Sequence, residues 1–218
     1  MKFTHTPLKA DHFLTRIRPY GVGDFGATGA SAGFRLDTRN HAIATTRGAM
    51  LQGEGTYYPA VWTVRSNFGE VHGAAAAFLS PPVALQPTLA LLVGGKQVWG
   101  NYPFHEAAFL GGPVTALSPG NVRGLPIQRY AGDSAVWGNA ELRLRLFGVN
   151  LLVPEDAGIF ALADTGRVYL AGEDSHHWHT GVGGGFWMSF LRRENTVSVA
   201  VARSEGSTRV YAGAGFGF

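Results

Sequence analysis

The stretch Val136-Trp137-Gly138-Asn139-Ala140-Glu141-Leu142-Arg143-Leu144-Arg145-Leu146 decides the fold class. Asn139, Glu141, Arg143 and Arg145 fall on one parity, and Ala140, Leu142, Leu144 and Leu146 on the other. Successive strand side chains point to opposite faces, so a strand here has one charged and one purely aliphatic face. A helix would scatter the same charges around its axis. The segment reads as a β-strand.

Working outward, the same two-residue period recurs. Ala30, Ala32, Phe34 and Leu36 alternate with Ser31, Gly33, Arg35 and Asp37, and over 49–58 Gln52, Glu54 and Thr56 alternate with Leu51, Gly53, Gly55 and Tyr57. Leu89, Leu91 and Val93 interleave with Thr88, Ala90 and Leu92 less cleanly, and Val197, Val199 and Val201 face away from Thr196, Ser198 and Ala200. In the last segment Val210, Ala212, Ala214, Phe216 and Phe218 share a face. With 68–79, 157–165 and 182–192 the count is about nine strands. Turns are expected at Thr38–His41, Pro81-Pro82, Pro154-Glu155-Asp156 and Ser204–Ser207. Many strands run to about ten residues, the length a tilted strand needs to cross a bilayer.

Composition agrees. The 218 residues are 45% hydrophobic and 12% aromatic but only 15% charged, with 31 glycines and 11 prolines. Mean hydropathy is only +0.03, and no apolar run reaches the roughly 18 residues of a spanning helix. Alternation hides the apolar content of a membrane β-barrel from a sliding window. Aromatic content argues against disorder. The net charge of +3 comes from dispersed arginines, so nucleic acid is not an expected partner. Cysteine is absent, which removes disulfides and thiolate chemistry. The N-terminus has no apolar signal segment. For an outer-membrane protein this leads us to expect a C-terminal portion of a larger barrel. Residues 1–27 are poorly patterned, although His12–Phe25 could add a tenth strand. Residues 28–218 form the barrel portion, interrupted by a long loop at about 100–133 that lacks a clear period.

Four matches carry a family resemblance. Leu36-Asp37-Thr38-Arg39-Asn40 with Thr46-Arg47-Gly48, Val122-Arg123-Gly124-Leu125, Gly138-Asn139-Ala140-Glu141-Leu142-Arg143, and Phe160–Val168 stand in order along nearly the whole chain. They resemble motifs of the bacterial surface antigen family, the superfamily of BamA, TamA and the two-partner-secretion transporters. The second has Leu125 where an aromatic is usual, and the fourth has a shifted Phe spacing. The resemblance implies an antiparallel transmembrane β-barrel of sixteen strands, of which nine or ten are here, in the bacterial outer membrane. It implies a non-enzymatic role in inserting outer-membrane proteins or translocating polypeptides. Partners would be outer-membrane lipid, client polypeptides and the barrel-assembly machinery, with no cofactor.

The resemblance also implies a site. Arg123, beside Gly124 on the long loop, would reach into the lumen and pair with Glu141 and Asp164 on the wall. Independently of the family, Glu141 lies on the charged parity of its strand, and an acid at the position of Asp164 is costly against lipid. Tyr211-x-Gly213-x-x-Phe216-x-Phe218 resembles the C-terminal assembly signal of outer-membrane proteins, with Phe216 and Phe218 expected on the lipid face at an aromatic girdle.

Other constellations weigh less. Gly29-Ala30-Ser31-Ala32-Gly33 matches a nucleophile elbow, but an elbow needs a strand, a sharp turn and a helix, and this one runs into a strand. His176-His177-Trp178-His179, beside Glu173 and Asp174, reads as a solvated hairpin tip; only His177 and His179 share a strand face, so a metal would need further ligands. No catalytic or metal residue is assigned. The alternative readings are the barrel of a patatin-type lipase or a small passive porin.

Overall fold

A computed structural model describes residues 1–7, 13–114, 121–150, 154–174 and 176–218. The chain is predominantly antiparallel β. Its elements are β1 (Lys2–His5), α1 (Phe13–Ile17), β2 (Asp24–Ala27), β3 (Ala30–Asp37), β4 (Gly48–Tyr58), β5 (Phe68–Leu79), β6 (Thr88–Gly100), β7 (Ala108–Leu110), β8 (Tyr130–Gly132), β9 (Ser134–Asn150), β10 (Pro154–Tyr169), β11 (His179–Phe190), β12 (Thr196–Ser204) and β13 (Ser207–Ala214). Nine of them form one antiparallel sheet in the order β13-β12-β11-β10-β9-β6-β5-β4-β3. Neighbours in the sheet are neighbours in sequence, except that the long connection 101–133 separates β6 from β9. No ladder joins β3 to β13 among the described residues.

The alternating pattern becomes two faces. In β9, Asn139, Glu141 and Arg143 are buried, while Leu142 and Leu146 are exposed. The adjoining strands follow: Leu89, Leu91 and Val93 of β6, Val197, Val199 and Val201 of β12, and Val182 and Phe186 of β11 are exposed. Their sequence neighbours Ala90, Leu92, Ala200, Ala202 and Gly181 are buried. The outer face is therefore apolar, and the inner face holds the buried charges. The charged parity survives burial because its partners lie on the same side, among buried apolar residues such as Leu92 and Leu162.

The sheet curls around that inner face. His41 Nδ1, in the loop after β3, lies 3.0 Å from Glu194 Oε1, just before β12. In a flat sheet β4 and β11 would stand about 24 Å apart, five strand spacings. The loop 41–46 thus passes beneath the inner face, where the Thr45 carbonyl accepts a hydrogen bond from Arg143 Nη1 at 3.3 Å.

Several expectations need correction. Residues 13–25 add no strand to the sheet: they include α1, and Asp24–Ala27 pairs with Lys2–His5 in a separate two-stranded ribbon. His12 lies outside the described residues. Pro154-Glu155-Asp156 is not a turn but the start of β10, a position where proline's missing N–H is tolerated. The connection 101–133 is not structureless, because Ala108–Leu110 and Tyr130–Gly132 pair as a short ribbon. The last strand stops at Ala214. Gly215 there has φ +76°, a conformation that glycine adopts without strain, and the chain leaves the ladder. Phe216 and Phe218 consequently turn to the inner face rather than to the outer one.

Candidate functional site: a loop arginine bound to the inner wall

Arg123 lies under the sheet's inner face with 4% of its surface exposed. Its Nε and Nη2 donate to the two oxygens of Asp164, each at 2.8 Å, and its backbone N–H donates to Asp164 Oδ2 at 2.9 Å. Nη1 donates to Glu141 Oε1. The planar guanidinium forks onto one carboxylate and reaches the next strand with its remaining edge. Asp164 on β10 and Glu141 on β9 are brought to one side by the alternation of their strands, in a register that pairs Leu162 with Glu141 and Asp164 with Asn139.

Small residues let the loop lie directly on the strands. A Cβ on Gly181 would stand 2.0 Å from the Arg123 carbonyl oxygen, and one on Gly166 would stand 2.6 Å from Leu110 Cδ1. Gly124 has φ +95° and presses against the backbone of Ser204. Val122 and Leu125 flank the arginine and are buried with Leu110. Asn139 Nδ2 donates to the Asn121 carbonyl at 2.7 Å. The loop is held by apolar packing on both sides of a fully engaged charge.

The expected trio Arg123, Glu141 and Asp164 is thus brought together, with Gly124 beside it. A fourth member went unassigned from the sequence. Arg143 Nη2 and Nε donate to Glu141 Oε2 at 2.6 and 2.9 Å, so two guanidinium groups face two carboxylates. Arg143 stands two residues from Glu141 on the same strand parity; that period was the available signal. Isolated buried charges are costly, whereas this quartet is formally neutral and its oxygens accept several hydrogen bonds.

The C-terminal residues complete the same site. Tyr211 Oη accepts the Gly124 N–H at 2.8 Å. The Phe216 ring lies 3.9 Å from Arg143 Cζ, a cation–π distance, and packs against Phe160 and Trp187. The Phe218 carbonyl accepts from Arg143 Nη2 at 2.9 Å, and its ring adjoins Phe78. Gly213 alone of the four faces open space. Two motifs separated by almost ninety positions are therefore one physical unit, which their sequence spacing conceals.

Ser31 lies within straight strand β3, its Oγ 2.9 Å from Thr56 Oγ1. That pentapeptide makes no strand-to-helix elbow. His177 and His179 do converge, with Glu205 of the β12–β13 turn as a third group.

Compared with known proteins, the chain matches no family model and no curated protein.

Proposed function

We propose that this chain is the wall of an outer-membrane β-barrel, with its long loop locked inside the pore, and that it acts in inserting or translocating other polypeptides. The carrying observation is the buried Arg123 bound to Glu141 and Asp164 beneath a sheet whose other face is exposed and aliphatic. An apolar outer face suits acyl chains, and charge-lined interiors suit a pore. The pinned loop occupies the interior and braces β9, β10 and the last strand together. In the proposed activity the edge strand β13 offers its unpaired backbone groups to an incoming client by strand addition. Eight residues in β13 give that edge.

The test is a client-folding assay. Unfolded outer-membrane polypeptide is added to liposomes with or without this chain, and its conversion to the folded, protease-resistant form is timed. Faster conversion with the chain, lost in Arg123→Ala, supports the reading. Equal rates with and without the chain refute it. Steady ion conductance without client folding would favour the porin reading, and Ser31-dependent ester hydrolysis the lipase reading.

A further inference from the structure

We propose that His177, His179 and Glu205 form a binding site for a divalent transition metal of the zinc type at the rim where the locked loop leaves the sheet. The three donor atoms lie within 4.8 Å of one another. His179 Nδ1 is 2.5 Å from Glu205 Oε1, and His177 Nε2 is 3.4 Å from the same oxygen. Two histidines and one carboxylate are a ligand set that zinc accepts, with water in the fourth place. A tetrahedral ion with bonds of about 2.0–2.1 Å needs donor atoms about 3.3 Å apart. The His177–Glu205 separation already has that value; the His179–Glu205 contact has to open by about 0.8 Å, and the two histidine donors, which lie within 4.8 Å of each other, have to reach the same spacing.

The surroundings are those of a prepared site. The ligands come from two chain segments, since His177 and His179 flank Trp178 at the start of β11 while Glu205 occupies the β12–β13 turn. Glu205 and Gly206 form the two-residue turn between the paired Ser204 and Ser207, with the positive φ at both positions that such a turn requires, and the Glu205 carboxylate lies at the histidines. Its second oxygen accepts from Tyr130 Oη at 2.6 Å. The Tyr130 ring stacks on His179 at 3.8 Å. Such outer partners orient ligands and raise metal affinity. His179 is buried, whereas His177 is 68% exposed, which leaves an entry path and room for water. The two imidazole nitrogens favour zinc, copper or nickel over calcium or magnesium, which prefer all-oxygen ligand sets. A bound ion would staple β11 to the last hairpin and, through Tyr130, to β8 of the long loop.

The full chain in detergent, stripped with a chelator, is titrated with Co²⁺ as an optical probe, and bound Co²⁺ is displaced with Zn²⁺. One saturable Co²⁺ with the intense visible bands of tetrahedral coordination is expected. His177→Ala and Glu205→Gln should each weaken it about tenfold or more, while His176→Ala leaves it unchanged. His177 is exposed, so its replacement tests the site without endangering the fold. Absence of saturable binding in the unmodified chain overturns the proposal, as does affinity in Glu205→Gln and His177→Ala equal to that of the unmodified chain.

Discussion

Replacing Arg123 by alanine removes one cation from a buried, formally neutral quartet. Glu141 keeps Arg143, whose Nη2 and Nε stay at 2.6 and 2.9 Å. Among the described residues, Asp164 keeps only the backbone N–H of residue 123, at 2.9 Å. Its carboxylate is then buried and unpaired. Breaking a buried pair in this way costs about 3–5 kcal/mol, chiefly from the stranded charge. Removing that charge as well, in Arg123→Ala with Asp164→Asn, should recover part of the loss. A double-mutant cycle should then return a coupling of about 1–3 kcal/mol. The assay is reversible urea unfolding in lipid vesicles, followed by tryptophan emission. A loss below about 1 kcal/mol for Arg123→Ala, the range of exposed ion pairs, would refute the reasoning: the arginine would then be solvated in the folded protein.

Three further outcomes follow from the geometry. Gly181→Ala places a methyl 2.0 Å from the Arg123 carbonyl oxygen, so it should lift the loop without altering any charge; a loss of about 1–3 kcal/mol in the same unfolding assay is expected from overpacking. Leu142→Arg puts a cation on the outer face and should cost about 2–4 kcal/mol in lipid at mid-depth; unchanged stability in vesicles would show that Leu142 does not meet acyl chains. Burial pushes the His105 imidazole below its ordinary range, with nearby Lys2 acting in the same direction and Glu106 opposing. A histidine with a depressed folded pKa contributes stability that is present above its unfolded pKa of about 6.5 and lost as pH falls through the folded value. Hydrogen exchange at 102–110 should therefore accelerate in acid, and an NMR titration placing His105 at or above its ordinary pKa would contradict the burial.

The nine main strands were legible because each carries the two-residue period, and β5 matches its expected bounds of 68–79. The strands that ran longer than expected did so where glycine or proline interrupts the pattern. β9 continues through Gly148 to Asn150, and β10 begins at Pro154 and runs on through Gly166 to Tyr169. The inward turn of the C-terminus was illegible for a different reason. Phe216 and Phe218 share parity with Val210, Ala212 and Ala214, and parity is transmitted only while the strand is straight. A single positive φ at Gly215 breaks it. The pairing of Arg123 with Glu141 and Asp164 came from the family resemblance together with strand parity. The roles of Arg143, Tyr211 and Phe216 needed the curled sheet, because nothing in linear spacing brings residues 123, 143 and 216 together. Glu205 joined His177 and His179 for the same reason: a hairpin neighbour across two strands leaves no periodic trace.

The two-faced sheet is tested most directly by cysteine scanning along β9 in lipid vesicles. The sequence contains no cysteine, so a single fluorophore can be placed at each position from Asn139 to Leu144 and challenged with a lipid-confined quencher. Strong quenching at 140, 142 and 144, with weak quenching at 139, 141 and 143, is the predicted result. Uniform quenching, or a chain that stays folded and monomeric in buffer without lipid or detergent, would contradict it.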